Sequence, residues 1–169
     1  MKKLYEEMHT KGKYNAHSMV PADTRVLLGL VKGTRSKTVL DFGGGKGYQY
    51  SKDKLNRTFG IPDSNITVYD IGVPEFSSLP LTKFDGVIST DVLEHVPEEQ
   101  LSEVLDTIFE KATKFVYIAV FCGPALNILP DGSNAHCTIK EPEWWDRLIK
   151  SHNSKNIPLV TTYRIPYRG

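Results

Sequence analysis

Cysteine is nearly absent from this chain: Cys122 and Cys137 are the two in 169 residues. They stand far apart and outside any CxxC arrangement, which excludes a disulfide framework or a zinc knuckle, and both are expected as reduced thiols. Long hydrophobic runs are missing as well. No apolar stretch approaches the roughly 20 residues needed to cross a bilayer. The opening Met1-Lys2-Lys3-Leu4-Tyr5-Glu6-Glu7 lacks the apolar core and small-residue cleavage site of a secretion signal. The expectation is a soluble, cytoplasmic chain with no membrane partner. Nor does one sign of charge dominate: 21 Lys and Arg against 20 Asp and Glu give a formal charge of +1. That leaves no global field to hold a polyanion, so composition does not indicate nucleic acid as a partner. The basic clusters at Lys11 and Lys13, at 32–37 and at 52–57 are read as solvated faces. Repeats, low-complexity tracts and linker-like runs are also absent, so residues 1–169 are expected to form one domain, long enough to bury a core without staples. Oligomeric state leaves no trace in the sequence.

What is present is an alternation of short apolar runs with amphipathic stretches. Residues 21–32 carry Val26, Leu27, Leu28, Leu30 and Val31 in a pattern suited to a helix packed on a sheet, with Asp23 as a cap near its start. Strands are predicted at 38–42, 66–70, 84–90 and 114–120, each short, apolar and rich in β-branched or aromatic residues. Helices are predicted at 48–57, at 97–111 with Pro97 in its first turn, and at 142–152. A long irregular stretch covers 121–139, and 159–167 reads as an edge strand between Pro158 and Pro166. Such alternation predicts an α/β fold, Rossmann-like, with a mostly parallel sheet and flanking helices.

In an open parallel sheet ligands bind beyond the carboxyl ends of the strands, so the residues that follow each strand carry the information. After the first come Gly43, Gly44, Gly45 and Gly47, which permit a tight turn and a close approach of bare backbone. A glycine loop alone is a weak signal, because several nucleotide-binding classes use one. Asp41, just before it, is sharper. A carboxylate there would repel a pyrophosphate, which argues against a dinucleotide oxidoreductase, yet it could accept hydrogen bonds, directly or through water, from an ammonium-bearing ligand. Asp70, about 29 residues further on at the end of the next predicted strand, is placed to hold two ribose hydroxyls.

These residues together resemble the class I S-adenosylmethionine-dependent methyltransferase family. Val39-Leu40-Asp41-Phe42-Gly43-Gly44-Gly45-Lys46-Gly47 is similar to its first motif, Val68-Tyr69-Asp70 to its second, and the segment from Phe84 through Ser89-Thr90-Asp91-Val92-Leu93-Glu94-His95-Val96 to its fourth. The stretches after Asp70 and from Leu129 through Trp144-Trp145 are similar to a poorly characterised subgroup. The resemblance implies S-adenosylmethionine as cofactor, with Gly43 and Gly45 against its methionine part, Asp70 on the ribose and Asp91 on the wall nearest the sulfonium, while Ile71, Val73 and Phe76 are expected to pack the base on their apolar character alone. This chain departs from the family between Asp70 and Asp85. About 14 residues cannot hold a helix, a strand and a second helix, since a crossover alone takes at least about 10 to 12. The sheet is therefore expected to be trimmed at that edge, without the family's acidic contact to the adenine amino group, and its closing antiparallel hairpin is expected to be reduced to one strand.

The cofactor would carry the reactive group, leaving the protein to position an acceptor and remove a proton. His136 and His95 are the two candidate bases, because imidazole titrates near neutrality. The acceptor is expected to be a small molecule or a sugar-like hydroxyl or amine. The leading reading assigns no metal. Its rival notes that Asp91, Glu94, His95 and His136 are similar to the metal-binding set of the RNA 3′-end 2′-O-methyltransferases, which has Glu where this chain has Asp91, and such donors would suit Mg, Mn or a similar ion. A second rival is a non-catalytic, cofactor-binding partner subunit. Of Trp144 and Trp145, one is expected in the core and the other is a candidate wall of the acceptor pocket. Residues 1–35 are expected to form an N-terminal helical segment and lid, with Tyr5, Tyr14 and His17 over the cofactor. His9 and His152 read as solvated surface.

Overall fold

The computed structural model describes residues 19–129 and 131–166. The lid expected of Tyr5, Tyr14 and His17, the surface place of His9 and the cluster of Lys11 and Lys13 lie outside the described residues.

Five strands form one sheet: β1 Val39–Phe42, β2 Ile66–Tyr69, β3 Phe84–Thr90, β4 Ala112–Phe121 and β5 Leu159–Arg164. Their order is β2-β1-β3-β4-β5, and every pairing is parallel. Helix α1 Pro21–Gly33 precedes β1, α2 Tyr48–Ser51 and α3 Leu55–Phe59 lie between β1 and β2, α4 Leu101–Lys111 crosses from β3 to β4, and α5 Pro142–His152 crosses from β4 to β5. The fold is the expected Rossmann-like one. From β1 the chain moves to β2 on one side, then returns to place β3 on the other, so the strand order reverses between β1 and β3. That reversal is where doubly wound sheets open a ligand crevice.

Strand periodicity sorts the core into two layers. Along β4, Phe115, Tyr117 and Ala119 pack with Leu27 and Val31 of α1, Tyr50 of α2 and Phe59 of α3. The alternate residues Val116, Ile118 and Val120 pack with Leu105 and Ile108 of α4 and Trp145 and Ile149 of α5. Both faces are therefore covered, which is why the middle of β4 reads as an unbroken apolar run. Burial of Trp145 and Ile149, four positions apart on α5, secures that helix at roughly 1.5 to 3 kcal/mol per large apolar side chain.

Two helical expectations change. The helix expected over 48–57 is two short ones, α2 and α3, separated at Lys54, whose φ is +56°. Ser51, Lys52, Asp53 and Lys54 are all exposed, so no apolar contact holds that turn on the sheet. Pro97 does not open α4 either. It precedes a 3-10 turn, Glu98–Gln100, from which α4 continues. Asp23 acts at the start of α1, as expected, but from the third helical position: Val20 N–H donates to its Oδ2 at 2.8 Å.

Both trimmed edges are as the sequence implies. Between β2 and β3 lies one 3-10 turn, Pro74–Phe76, and β2 is the sheet's edge among the described residues. At the other edge β5 pairs parallel with β4, from Val116 with Leu159 to Phe121 with Arg164, and no antiparallel strand joins it there among the described residues. Cys122 and Cys137 are free thiols. No described helix is long and apolar enough to cross a membrane.

Candidate functional site

The loop after β1 is stitched to the end of β2. Gly43 N–H and Gly44 N–H both donate to Tyr69 O, at 2.7 and 3.3 Å. Gly45 N–H donates to Asp70 Oδ2 at 2.8 Å, and Gly72 N–H donates to Asp70 Oδ1 at 2.8 Å. Asp70 thus closes the loop on one side and its own turn on the other. Three successive loop N–H groups are committed inside the protein. The turn also demands glycine: Gly43 has φ +81° and lies so close to Val92 that a Cβ would collide with it. A Cβ on Gly44 would come within 2.8 Å of the Asp41 carboxyl group.

Asp41 lies beneath this loop, 1% exposed. Its Oδ2 accepts hydrogen bonds from Gln49 Nε2 at 2.7 Å and from Tyr50 OH at 2.9 Å, while Gln49 Nε2 also reaches Gly44 O at 3.1 Å. Burial and the adjacent carboxylate drive the Tyr50 hydroxyl well above its ordinary pKa, so it remains a donor. Gln49 and Tyr50 were not singled out in the sequence, although their place in the first turn after the glycines is a usable signal. Ile71, beside Asp70, is 49% exposed, with Val73 buried and Phe76 half-buried next to it. An apolar surface therefore adjoins the carboxylate at the open edge of the sheet.

At the end of β3, across the strand reversal, Asp91 turns the chain with φ +53° while its N–H donates to Ala119 O at 2.9 Å. A positive φ is uncommon outside glycine and tolerated best by Asp and Asn. The Asp91 carboxylate is ion-paired with Arg164, the last residue of β5, and the other arm of that guanidinium binds Asp23. Asp23 is 1% exposed and also accepts the Tyr117 hydroxyl at 2.5 Å. One arginine thus joins α1, β3 and β5 behind the site, a link that the sequence did not reveal.

Beyond Asp91 the chain forms a 3-10 turn, Leu93–His95. Glu94 is fully buried: its Oε1 accepts Phe121 N–H at 3.0 Å, whereas Oε2 has no hydrogen-bond partner among the described residues. Burial raises its carboxyl pKa to about 7. His95 Nδ1 is 2.7 Å from Ala135 O, and His136 Nδ1 is 2.6 Å from Gly123 O. A carbonyl only accepts, so each Nδ1 carries the hydrogen, and in each neutral ring Nε2 has the lone pair. Burial lowers the His95 pKa to about 4 and also lowers that of His136. The ligand atoms of Glu94, His95 and His136 lie within 4.8 Å of one another. Asp91, the fourth of the expected donors, is not in the group. It is held by Arg164 instead.

His136 is delivered by a folded loop. Asn134 Oδ1 accepts both Ala125 N–H and His136 N–H at 2.9 Å, and Asn134 Nδ2 donates to Ala125 O at 2.9 Å. Thr138 ties the loop back by donating its N–H to Glu94 O at 3.0 Å and its hydroxyl to Val96 O at 2.7 Å. Trp145 is in the core, and Trp144 meets it edge-on at 5.1 Å with Lys140 above. His152 differs from expectation. Its ring is 16% exposed and bonds Asp106 at 2.7 Å, so it is not a freely solvated side chain.

No protein-family model and no curated protein matches the chain. Among solved structures, a SAM-dependent methyltransferase from Archaeoglobus fulgidus aligns at 20% identity and a TM-score of 0.47, over 76% of this chain and 68% of its own. An O-methyltransferase family protein from Burkholderia thailandensis aligns at 11% identity and a TM-score of 0.48, over 89% of this chain and 53% of its own. The chain therefore spans about half the length of the second.

Proposed function

We propose that this chain is an S-adenosylmethionine-dependent methyltransferase acting on a hydroxyl or amine of a small or sugar-like molecule. The observation that carries the reading is the closure of the glycine loop by Asp70. A phosphate-binding loop offers its N–H groups to an anion and opens a helix whose dipole favours negative charge. Here the N–H groups of Gly43, Gly44 and Gly45 are spent on Tyr69 O and Asp70, and α2 is only four residues long. Of the two carboxylates at the turn, Asp41 is buried under the loop and engaged by Gln49 and Tyr50, so Asp70 at the rim is the one that faces a ligand. Such a site suits a ligand with hydroxyl and ammonium donors and no phosphate, which is the donor set of S-adenosylmethionine.

When bound, that cofactor supplies a methyl group activated by a sulfonium centre. Asp70 can accept ribose hydroxyls in addition to its two N–H bonds, because a carboxylate has about four acceptor sites. Ile71 offers exposed apolar surface for the base. Asp41 keeps Gln49, Tyr50 and Gly44 in place, so its part is to shape the loop from below. Asp91 contributes negative charge near the strand reversal, in a position fixed by Arg164. His95 and His136 are neutral, each ring fixed through Nδ1–H on a backbone carbonyl, and they are the candidate bases. A formal charge of +1 favours a small acceptor over a nucleic acid.

Co-crystallisation with S-adenosylhomocysteine tests the assignment. Density is expected across the glycine loop, with the ribose on Asp70 and the base near Ile71. A nicotinamide dinucleotide bound there in its place, with its pyrophosphate on the loop, would contradict it.

A further inference from the structure

One guanidinium serves two carboxylates at the carboxyl end of the sheet. Arg164 ends β5 in register with Phe121 of β4, and its two arms bind Asp91 after β3 and Asp23 of α1. The Tyr117 hydroxyl donates to Asp23 without adding charge, because burial first, and then its bond to Asp23, push its pKa up and keep it protonated. Among the described residues no other ion pair reaches these three. One positive charge therefore meets two negative ones, a net charge of −1, and arginine does not give up its proton. The excess faces the crevice: Asp23 is 1% exposed, whereas the Asp91 side chain is 23% exposed. Asp91 also borders the glycine loop, since its neighbour Val92 lies so close to Gly43 that a Cβ there would meet it. A ligand along the loop passes this turn, where a half-buried charge is only partly screened.

We infer that Asp91, Arg164 and Asp23 act as one charge-selective unit of the crevice, favouring the cationic sulfonium form of the cofactor over its neutral thioether product. This role rests on the methyltransferase reading. Methyl transfer removes the ligand's positive charge: the acceptor's lone pair bonds the methyl carbon, the carbon–sulfur pair stays on sulfur, and the acceptor's proton passes to water. The ammonium and carboxylate of the methionine part are common to both forms and cancel from the comparison. Before transfer the sulfonium balances the excess negative charge of the unit. Afterwards that balance is gone, so the product is held less tightly and exchanges for fresh cofactor. Arg164 sets the size of the imbalance by offsetting one carboxylate of the two.

The ratio of affinities for S-adenosylmethionine and S-adenosylhomocysteine, measured by calorimetry without acceptor, tests this, because a merely structural role moves both affinities together. The parent should favour S-adenosylmethionine. Asp91→Asn keeps an acceptor for Arg164 and a residue type that tolerates the positive φ. It should lower the ratio by about 5-fold, the scale of a unit charge at partly screened range. Arg164→Gln leaves two negative charges and should raise the ratio. Asp106→Asn removes a negative charge from the exposed side of α4 and should leave it unchanged. Should Arg164→Gln not fold, Asp91→Asn decides alone. An unchanged ratio in Asp91→Asn, or a lowered one in Arg164→Gln, overturns the inference, while binding of both ligands still upholds the methyltransferase reading. Failure of the parent to bind either ligand contradicts that reading, and the inference falls with it.

Discussion

The imidazoles of His95 and His136 meet edge to face, with centroids 4.7 Å apart and planes at 80°. They arrive by different routes. His95 ends a 3-10 turn anchored on the buried Leu93 and Glu94. His136 rides a loop whose shape depends on the three hydrogen bonds of Asn134. The geometry of the pair is therefore as sound as that loop.

Asn134→Ala removes all three bonds without touching either imidazole. Stability should fall by about 1 to 3 kcal/mol, the cost of leaving buried or half-buried loop donors and acceptors unpaired. Urea unfolding of the variant measures this, and an unchanged stability would mean that the loop holds its shape by other contacts.

Acid and base should act on this cluster in opposite directions. The Glu94 pKa is raised from 4.5 to about 7, so its contribution is fully present below about 4.5 and is lost as pH rises through 7. The His95 pKa is lowered from 6.5 to about 4, so its contribution is present above about 6.5 and is lost as pH falls through 4. Between those limits the two nearly cancel. Glu94→Gln should make stability fall as pH is lowered from about 6.5 toward 4, and His95→Asn should make it fall as pH is raised from about 4.5 toward 7. Urea unfolding across that range gives the slopes. Variants that retain the parent's pH profile would contradict the assignment.

Arg164→Met leaves the buried Asp23 carboxylate without its cation and releases Asp91. Breaking a buried pair from one side costs roughly 3 kcal/mol, because the remaining charge is uncompensated. The double variant Arg164→Met with Asp23→Asn should recover part of that loss. Denaturant unfolding of the single and double variants closes the cycle. A single-variant loss under about 1 kcal/mol, the range of solvated pairs, would show that water reaches this link.

Strands and glycine turns are local, so they could be read directly. The run from Val39 to Gly47, Asp70 at its strand end and the short span to Asp85 gave the sheet, its trimmed edge and the side on which a ligand would sit. The link from Arg164 to Asp23 joins residues 141 positions apart, and no local pattern encodes it. The same distance in sequence hid the exchange at Asp91, where a carboxylate grouped by resemblance with Glu94 and His95 is turned toward β5. Asn134 was hidden for another reason: its work is done by side-chain bonds to loop backbone, which leave no periodicity. Lys54 broke the expected helix because a charged, exposed turn looks helical by propensity alone, and tertiary packing decides the outcome.

Binding of S-adenosylhomocysteine, measured by calorimetry on the parent and on Asp70→Ala, tests the central claim most directly. The account predicts micromolar or tighter binding by the parent, weakened by about 10-fold or more when the ribose hydroxyls lose a carboxylate acceptor, as for hydrogen bonds to a charged group. No binding at micromolar concentration, or equal affinity in Asp70→Ala, would contradict it.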